Sequence, residues 1–306
     1  MTEKRPVMEN NYYLIVLVSL LLYFISGELS AEVIRVKDDT GRTVQLDKPA
    51  QRIITLAPHA VELIFAAGGG ERIIGTVSYS DFPEQAKSIP LIGSYTAVDV
   101  ERILALKPDL IIAWQSGNRK NEIDKLIQLG LNVFINEPRS IDDVANSIER
   151  FGKLLATETI ANRFSKNFRQ HYHALQTRWQ GRKKIRMFYQ IWNDPLITVN
   201  DQHLISAVMR LCGAENVFRD MPALSAGVSV EAVIAAKPQI IIAGGEAAEK
   251  AHWMDVWRRW TNLPAVKYKQ LYFIDSGLIH RHGPRILDGA EIMCRYVEQA
   301  RKAIWR

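Results

Sequence analysis

The sequence predicts an α/β protein of two related lobes, each built on a mostly parallel sheet, joined by a long helix and leaving a ligand cleft between them. Three observations carry this. Short apolar runs alternate with helical patterns in both halves of the chain, residues 140–181 hold helical patterns alone, and one helix–turn–strand unit occurs twice, 130 residues apart. The expected segments are 1–31 as a signal peptide, 32–140 as an N-terminal lobe, 141–181 as a helical connector and 182–306 as a C-terminal lobe.

The first segment opens with Lys4 and Arg5, followed by an apolar run from Tyr12 to Ile25 and then Gly27, Ser30 and Ala31. That run is shorter than the roughly 20 residues a membrane-spanning helix needs, so a cleaved export signal fits it better than an anchor. Cleavage near Ala31 would start the mature chain at about Glu32 and place it in the periplasm. The two cysteines, Cys212 and Cys294, form an even count, which in an exported chain points to one disulfide, with two buried thiols as the alternative.

Past the signal, Val33 to Leu46 alternates around Asp38-Asp39-Thr40-Gly41, a hairpin with a glycine turn. Strands are then expected at Arg52–Ala57, Arg72–Val77, Asp109–Trp114 and Leu131–Ile135, with helices at His59–Ala67, Val100–Leu106 and Lys120–Leu129 between them. Such runs, apolar along their whole length and separated by helices, indicate a parallel sheet covered on both faces. Ser140 with Asp143 forms a capping box for a helix over Ile141–Leu155, and Thr157 opens a second helix reaching about Trp179. Alternation resumes with strands at Ile185–Gln190, Leu196–Val199, Gln239–Ala243 and Leu271–Asp275, and a last helix from Pro284 towards Trp305.

The repeat pairs Val100–Ala113 with Val230–Ala243, and eight of the fourteen positions are identical, including Glu101 with Glu231 and both Lys-Pro dipeptides. Each copy reads as a short helix, a turn that proline enforces, and a buried strand. In sheets of this kind ligands bind beyond the carboxyl ends of the strands. Tyr79, Tyr95, Trp114 and Trp192 all fall there, where aromatic faces suit a large, flat, partly apolar ligand. His59, His280 and His282 also follow strands; they read as polar lining, with ligation of a metal in the ligand as the alternative. Trp253, Trp257 and Trp260, spaced i, i+4, i+7, mark one packed helix face.

Several functions are excluded by pattern. The net charge of +6 is modest and its one tight basic cluster, Arg182-Lys183-Lys184, lies in a loop, which argues against nucleic-acid binding. Gly68-Gly69-Gly70 follows a helix, the wrong context for a dinucleotide loop, and there is no P-loop, nucleophile elbow or His-Glu-x-x-His. No nucleophile sits beside a base, so no catalytic residue, no metal site and no enzyme activity are expected.

Ser78-Tyr79-Ser80-Asp81-Phe82-Pro83, Leu106–Trp114 and Leu211–Phe218 resemble the periplasmic cobalamin-binding proteins of ABC importers, in the class III, helical-backbone solute-binding superfamily. The resemblance covers nearly all of the mature chain. It implies two Rossmann-like lobes on a rigid helix, with cobalamin carried between them as transported ligand and no other cofactor. It further implies ligand contacts at Tyr79, Tyr95 and Trp114, with Arg281 retained, a Cys212–Cys294 disulfide, and transporter-docking glutamates at Glu101 and Glu231. The expected partners are the corrinoid, the ABC permease and its ATPase, with the chain itself a monomer. Tyr95 stands where those proteins carry Trp. Haem or a ferric siderophore on the same scaffold is the alternative ligand. A metal-dependent hydrolase in the cleft, or a sensor signalling through a partner, is the alternative of another class.

Overall fold

Two four-stranded, wholly parallel sheets centre the two lobes in the computed structural model, which describes residues 33–246 and 250–305. In the first, Ile73–Gly75, Ile53–Thr55, Leu110–Trp114 and Val133–Asn136 lie side by side in that order. In the second the order is Ala214–Asn216, Ile185–Gln190, Ile240–Gly245 and Leu271–Asp275. Numbered along the chain, each lobe's strands run 2-1-3-4, so the chain reverses direction across the sheet between strands 1 and 3. The export signal and its cleavage point lie outside the described residues. Among the described residues no helix is long and apolar enough to cross a membrane.

The continuous apolar runs form central strands because both faces of each sheet are covered. Leu110 to Ala113 are all fully buried, yet alternate residues serve different cores. Ile111 and Ala113 enter a cluster confined to the first lobe, with Ile54, Ile103 and Ile123. Leu110 and Ile112 enter a larger cluster that runs through Ile148, Phe151, Phe168, Leu175 and Trp179 to Ile185, Met187 and Ile242 of the second lobe. Both lobes therefore share one apolar core along the connector, and separating them would expose it to water.

The connector is two helices, Ile141–Leu155 and Glu158–Trp179. The first has the expected capping box: Ser140 accepts from the Asp143 amide at 3.2 Å and Asp143 accepts from the Ser140 amide at 2.8 Å. Ala156, in the left-handed region at φ 53°, turns the chain into the second helix. A Cβ at Gly152 would lie 2.4 Å from that of Ala161, so glycine permits the close approach of the two helices. The second helix, 22 residues long and so about 33 Å, packs against Leu204–Leu211 and Ile286–Ile304 of the second lobe.

The sequence repeat is a structural repeat. Val100–Leu106 and Val230–Ala236 are capped by Asp99 and Ser229, whose side chains accept from the amides of Arg102 and Ala232. Lys107 and Lys237 end them with nearly the same left-handed geometry, φ 49° and 47°. Arg52 donates to the Leu106 carbonyl at 2.5 Å, and Arg186 to the Ala236 carbonyl at 2.6 Å.

The N-terminal hairpin pairs Ile34–Lys37 with Thr43–Leu46 around Gly41 at φ 85°. Cys212 and Cys294 form a disulfide that ties the end of Leu204–Leu211 to the C-terminal helix across 82 residues. A loop of that length contributes on the order of 4 kcal/mol in the chain-entropy model. Trp253 and Trp257 are buried on the helix Lys250–Arg258, but Trp260 lies beyond its end and is 37% exposed, so the third tryptophan is not part of the packed face.

Candidate functional site

At the reversal point of the first sheet, Ile53–Thr55 leads through Leu56-Ala57 into the helix Pro58–Ala66, started by proline at its first position. The neighbouring strand ends at Trp114. His59 and Trp114 therefore meet at this point, with ring centroids 5.2 Å apart. Tyr95, at the tip of the small hairpin Gly93–Ser94/Ala97–Val98, approaches Trp114 to 6.2 Å. The second lobe supplies His282, beyond its last strand, 5.6 Å from both Trp114 and His59. The carboxyl ends of the two sheets thus face one another across the seam between the lobes.

Trp114 is firmly positioned by its neighbours. Its ring lies across Gly117, where a Cβ would come within 1.8 Å of it, so only glycine fits. Asn118 fixes its backbone: Oδ1 accepts from the Trp114 amide at 2.6 Å, while Nδ2 donates to the Leu56 and Tyr95 carbonyls at 2.8 and 2.7 Å. One buried amide thereby joins both strand ends to the Tyr95 hairpin. Tyr95 is 36% exposed and Tyr79, in the left-handed region at φ 67°, is 65% exposed. In the second lobe Trp192 follows Ile185–Gln190, is 47% exposed, and stands edge-on to Trp253 at 5.9 Å.

The histidines lie deeper than these aromatics. His59 and His282 are almost wholly buried, as is His203, which packs on His282 at 5.0 Å and accepts from the Ile205 amide through Nδ1. His280 shares a 3.0 Å hydrogen bond with the Tyr189 hydroxyl. Burial, and then the neighbouring His280, lowers His282 to about 4. Burial alone lowers His280 to about 4. His59 and His203 are held well below the usual imidazole range by burial and by His282. All four are neutral at pH 7, so the seam is polar but uncharged here. Among the described residues the Nε2 of His59 and the Nε1 of Trp114 are buried without a hydrogen-bond partner. Among the described residues no group of three or more His, Cys, Asp or Glu side chains is arranged to hold a metal ion.

Beside this neutral patch the seam is charged. Arg281 bonds Asp81 at 2.7 Å and Glu62 at 3.3 Å. Arg285 grips both Glu62 oxygens, at 2.7 and 3.2 Å, and lies 4.0 Å over the Phe82 ring. Burial raises the Asp81 carboxyl, but the hydrogen bond and charge of Arg281 outweigh that and leave it below its ordinary value. Glu101 and Glu231 are both exposed in the first turn of equivalent helices, and neither makes a side-chain hydrogen bond or ion pair among the described residues.

Asn118, His203, Glu62 and Arg285 lie at the candidate site without having stood out in the sequence, and Asp81 entered there only as part of the motif 78–83. A single carboxylate inside the apolar helix of Glu62 was the one legible signal, because an unpaired acid is rarely buried. Asn118 had none, since an Asn after Gly in a loop is ordinary turn chemistry.

The model of a family of periplasmic binding proteins matches residues 53–278. A vitamin B12-binding protein of Vibrio cholerae serotype O1 is 37% identical over 255 residues, 83% of this chain and 91% of that one. The solved structure of the periplasmic vitamin B12 binding protein of Vibrio cholerae superposes with a TM-score of 0.78 at 37% identity, covering 83% of this chain and 99% of that chain. A periplasmic heme-binding protein from Roseiflexus shares the fold at a TM-score of 0.72 and 21% identity, covering 82% and 99%. The match extends across both lobes and the connector, and this chain belongs to the periplasmic binding protein family.

Proposed function

We propose that this chain is an exported, periplasmic cobalamin-binding protein that captures a corrinoid between its lobes and passes it to an ABC permease and its ATPase, without chemistry of its own. The observation that carries the reading is the placement of Tyr79, Tyr95, Trp114 and Trp192. These large rings stand at the carboxyl ends of the sheets, partly open, on a scaffold 37% identical to vitamin B12-binding relatives. A corrin is broad and largely apolar, and rigid aromatic faces cover it at little cost in side-chain freedom. Among the described residues none of the neutral histidines His59, His203, His280 and His282 bonds a carboxylate, and His280 bonds the Tyr189 hydroxyl, an arrangement that suits polar lining. His59 and His280 act as lining behind the ligand, and Arg281 as a polar contact on its rim. Glu101 and Glu231 are the docking points on the permease, one exposed carboxylate on each lobe at equivalent places in the repeat.

Calorimetric titration of the purified protein with cyanocobalamin, haem and a ferric siderophore tests the reading. Tight 1:1 binding of cyanocobalamin alone is expected. Tight binding of haem or siderophore, with no heat from cyanocobalamin, refutes it.

A further inference from the structure

The ion cluster at the seam has a composition that a surface cluster would not need. The Glu62 side chain is only 1% exposed, and it comes from the first lobe, whereas Arg281 and Arg285, 15% and 20% exposed, come from the second. Taken alone, Arg281, Glu62 and Arg285 carry a net charge of +1 in a poorly solvated place. The cluster becomes neutral only when Asp81 is counted, and Asp81 belongs to the loop Ser78–Pro83 that carries Tyr79. That loop is held a second time where Phe82 lies under the Arg285 guanidinium. Backbone packing is matched to the carboxylate as well. A Cβ at Gly283 would sit 3.0 Å from Glu62 Oε2, so glycine at 283 leaves room for the carboxylate where the second lobe approaches it.

A buried ion cluster rarely stabilises a fold more than apolar side chains of the same size would, but it tolerates one geometry only, since a displaced partner leaves an uncompensated charge. We infer that Glu62, gripped by Arg281 and Arg285, is an interlobe latch that sets the spacing of the two lobes and, through Asp81 and Phe82, holds the Tyr79 loop over the ligand. These are positioning residues. Apart from Arg281, which also meets the ligand's rim, they act on the ligand through the lobe spacing and through Tyr79, and the inference rests on the ligand lying between the lobes, as proposed above.

Two readouts test it on the full mature chain with its disulfide intact. Spin labels at exposed positions of the two lobes, Gln128→Cys and Arg295→Cys, report the interlobe distance distribution by double electron–electron resonance, with no ligand required. Stopped-flow fluorescence reports the dissociation of cyanocobalamin. Glu62→Gln leaves two arginines facing each other and should broaden the distance distribution and speed dissociation roughly tenfold or more. Gly283→Ala keeps every charge yet presses on the Glu62 carboxylate, which must give by a few tenths of an ångström, and should do the same to a smaller degree. Asp81→Asn, which breaks only the more exposed arm, should speed dissociation about threefold with the spacing unchanged. Asp124→Asn, which breaks an exposed ion pair with Lys120 inside one lobe, serves as the control and should match the parent. Should Glu62→Gln fail to fold, Gly283→Ala and Asp81→Asn carry the test. The latch is refuted if Glu62→Gln, or Gly283→Ala where Glu62→Gln does not fold, keeps the parent's spacing, if spacing changes while dissociation does not, or if Asp81→Asn dissociates at the parent's rate. A parent that binds no cyanocobalamin overturns the cobalamin reading instead, and the distance measurement still decides the latch.

Discussion

Acidification should weaken the fold through the histidine seam, and the size of the effect follows from burial. His282 is 1% exposed with a folded pKa of about 4, against an ordinary value of 6.5. A folded pKa below the unfolded one means that, as pH falls below about 6.5, the unfolded chain takes up a proton that the native chain refuses. Stability is therefore lost on going down in pH, until the folded pKa near 4 is reached. Between pH 7 and pH 5 the loss for one such ring is about 2 kcal/mol. His280 adds to it, though less than the same again, because part of the His282 depression arises from His280 itself. His59 and His203 act in the same direction, and the Arg281 guanidinium adds repulsion to a charged His59. Glu137 opposes them: burial raises its carboxyl, so the native state takes up that proton more readily than the unfolded chain. Urea denaturation at pH 7 and pH 5 measures the difference at constant m-value. His282→Leu should remove about 2 kcal/mol of it, since an apolar side chain of similar size cannot titrate. Equal stability of the parent at both pH values, or an unchanged loss in His282→Leu, would show that these rings are solvated or already paired.

Three further expectations concern the ligand, export and the transporter. Trp114→Ala should weaken cyanocobalamin binding by about 1–3 kcal/mol in calorimetry, whereas Trp257→Ala, which removes a buried ring bonded to Gln190, should lower the melting temperature more than the affinity. Intact-mass analysis of periplasmic protein should give a start near Glu32 and a mass two hydrogens below the reduced chain; full alkylation of Cys212 and Cys294 before any reductant would contradict the disulfide. Glu101→Arg with Glu231→Arg should leave melting temperature and ligand affinity nearly unchanged and sharply reduce both uptake and binding to the purified transporter, because exposed charges direct encounter more than they stabilise a fold. Normal uptake in that double variant would leave both glutamates as helix-start residues and place docking elsewhere.

The central strands were legible because parallel strands covered on both faces must be apolar throughout, and Leu110–Trp114 and Ile185–Gln190 announce themselves that way. Ala214–Asn216 was not, since an edge strand of Ala, Glu and Asn carries neither β-branched residues nor an apolar run and is recruited by its neighbour. Helix starts with a capping residue were visible at Ser140, whereas the left-handed ends at Lys107 and Lys237 could be inferred only from the proline that follows each.

For the site the division has a different cause. Trp114, Tyr95 and Trp192 could be placed at the candidate site from chain position, because a strand's carboxyl end is defined by the sequence just before it. Glu62 and Arg285 could not, for they are 223 residues apart and their pairing depends on how the lobes are set against each other. Periodicity describes one element at a time; an interlobe pair is a property of two. The same reasoning separates the histidines from the aromatics, although both follow strands in sequence. His59 is turned inwards by the first turn of an apolar helix, while Trp114 is held in the seam by Gly117 and Asn118, and only side-chain direction, set by those neighbours, decides which of the two a ligand can touch.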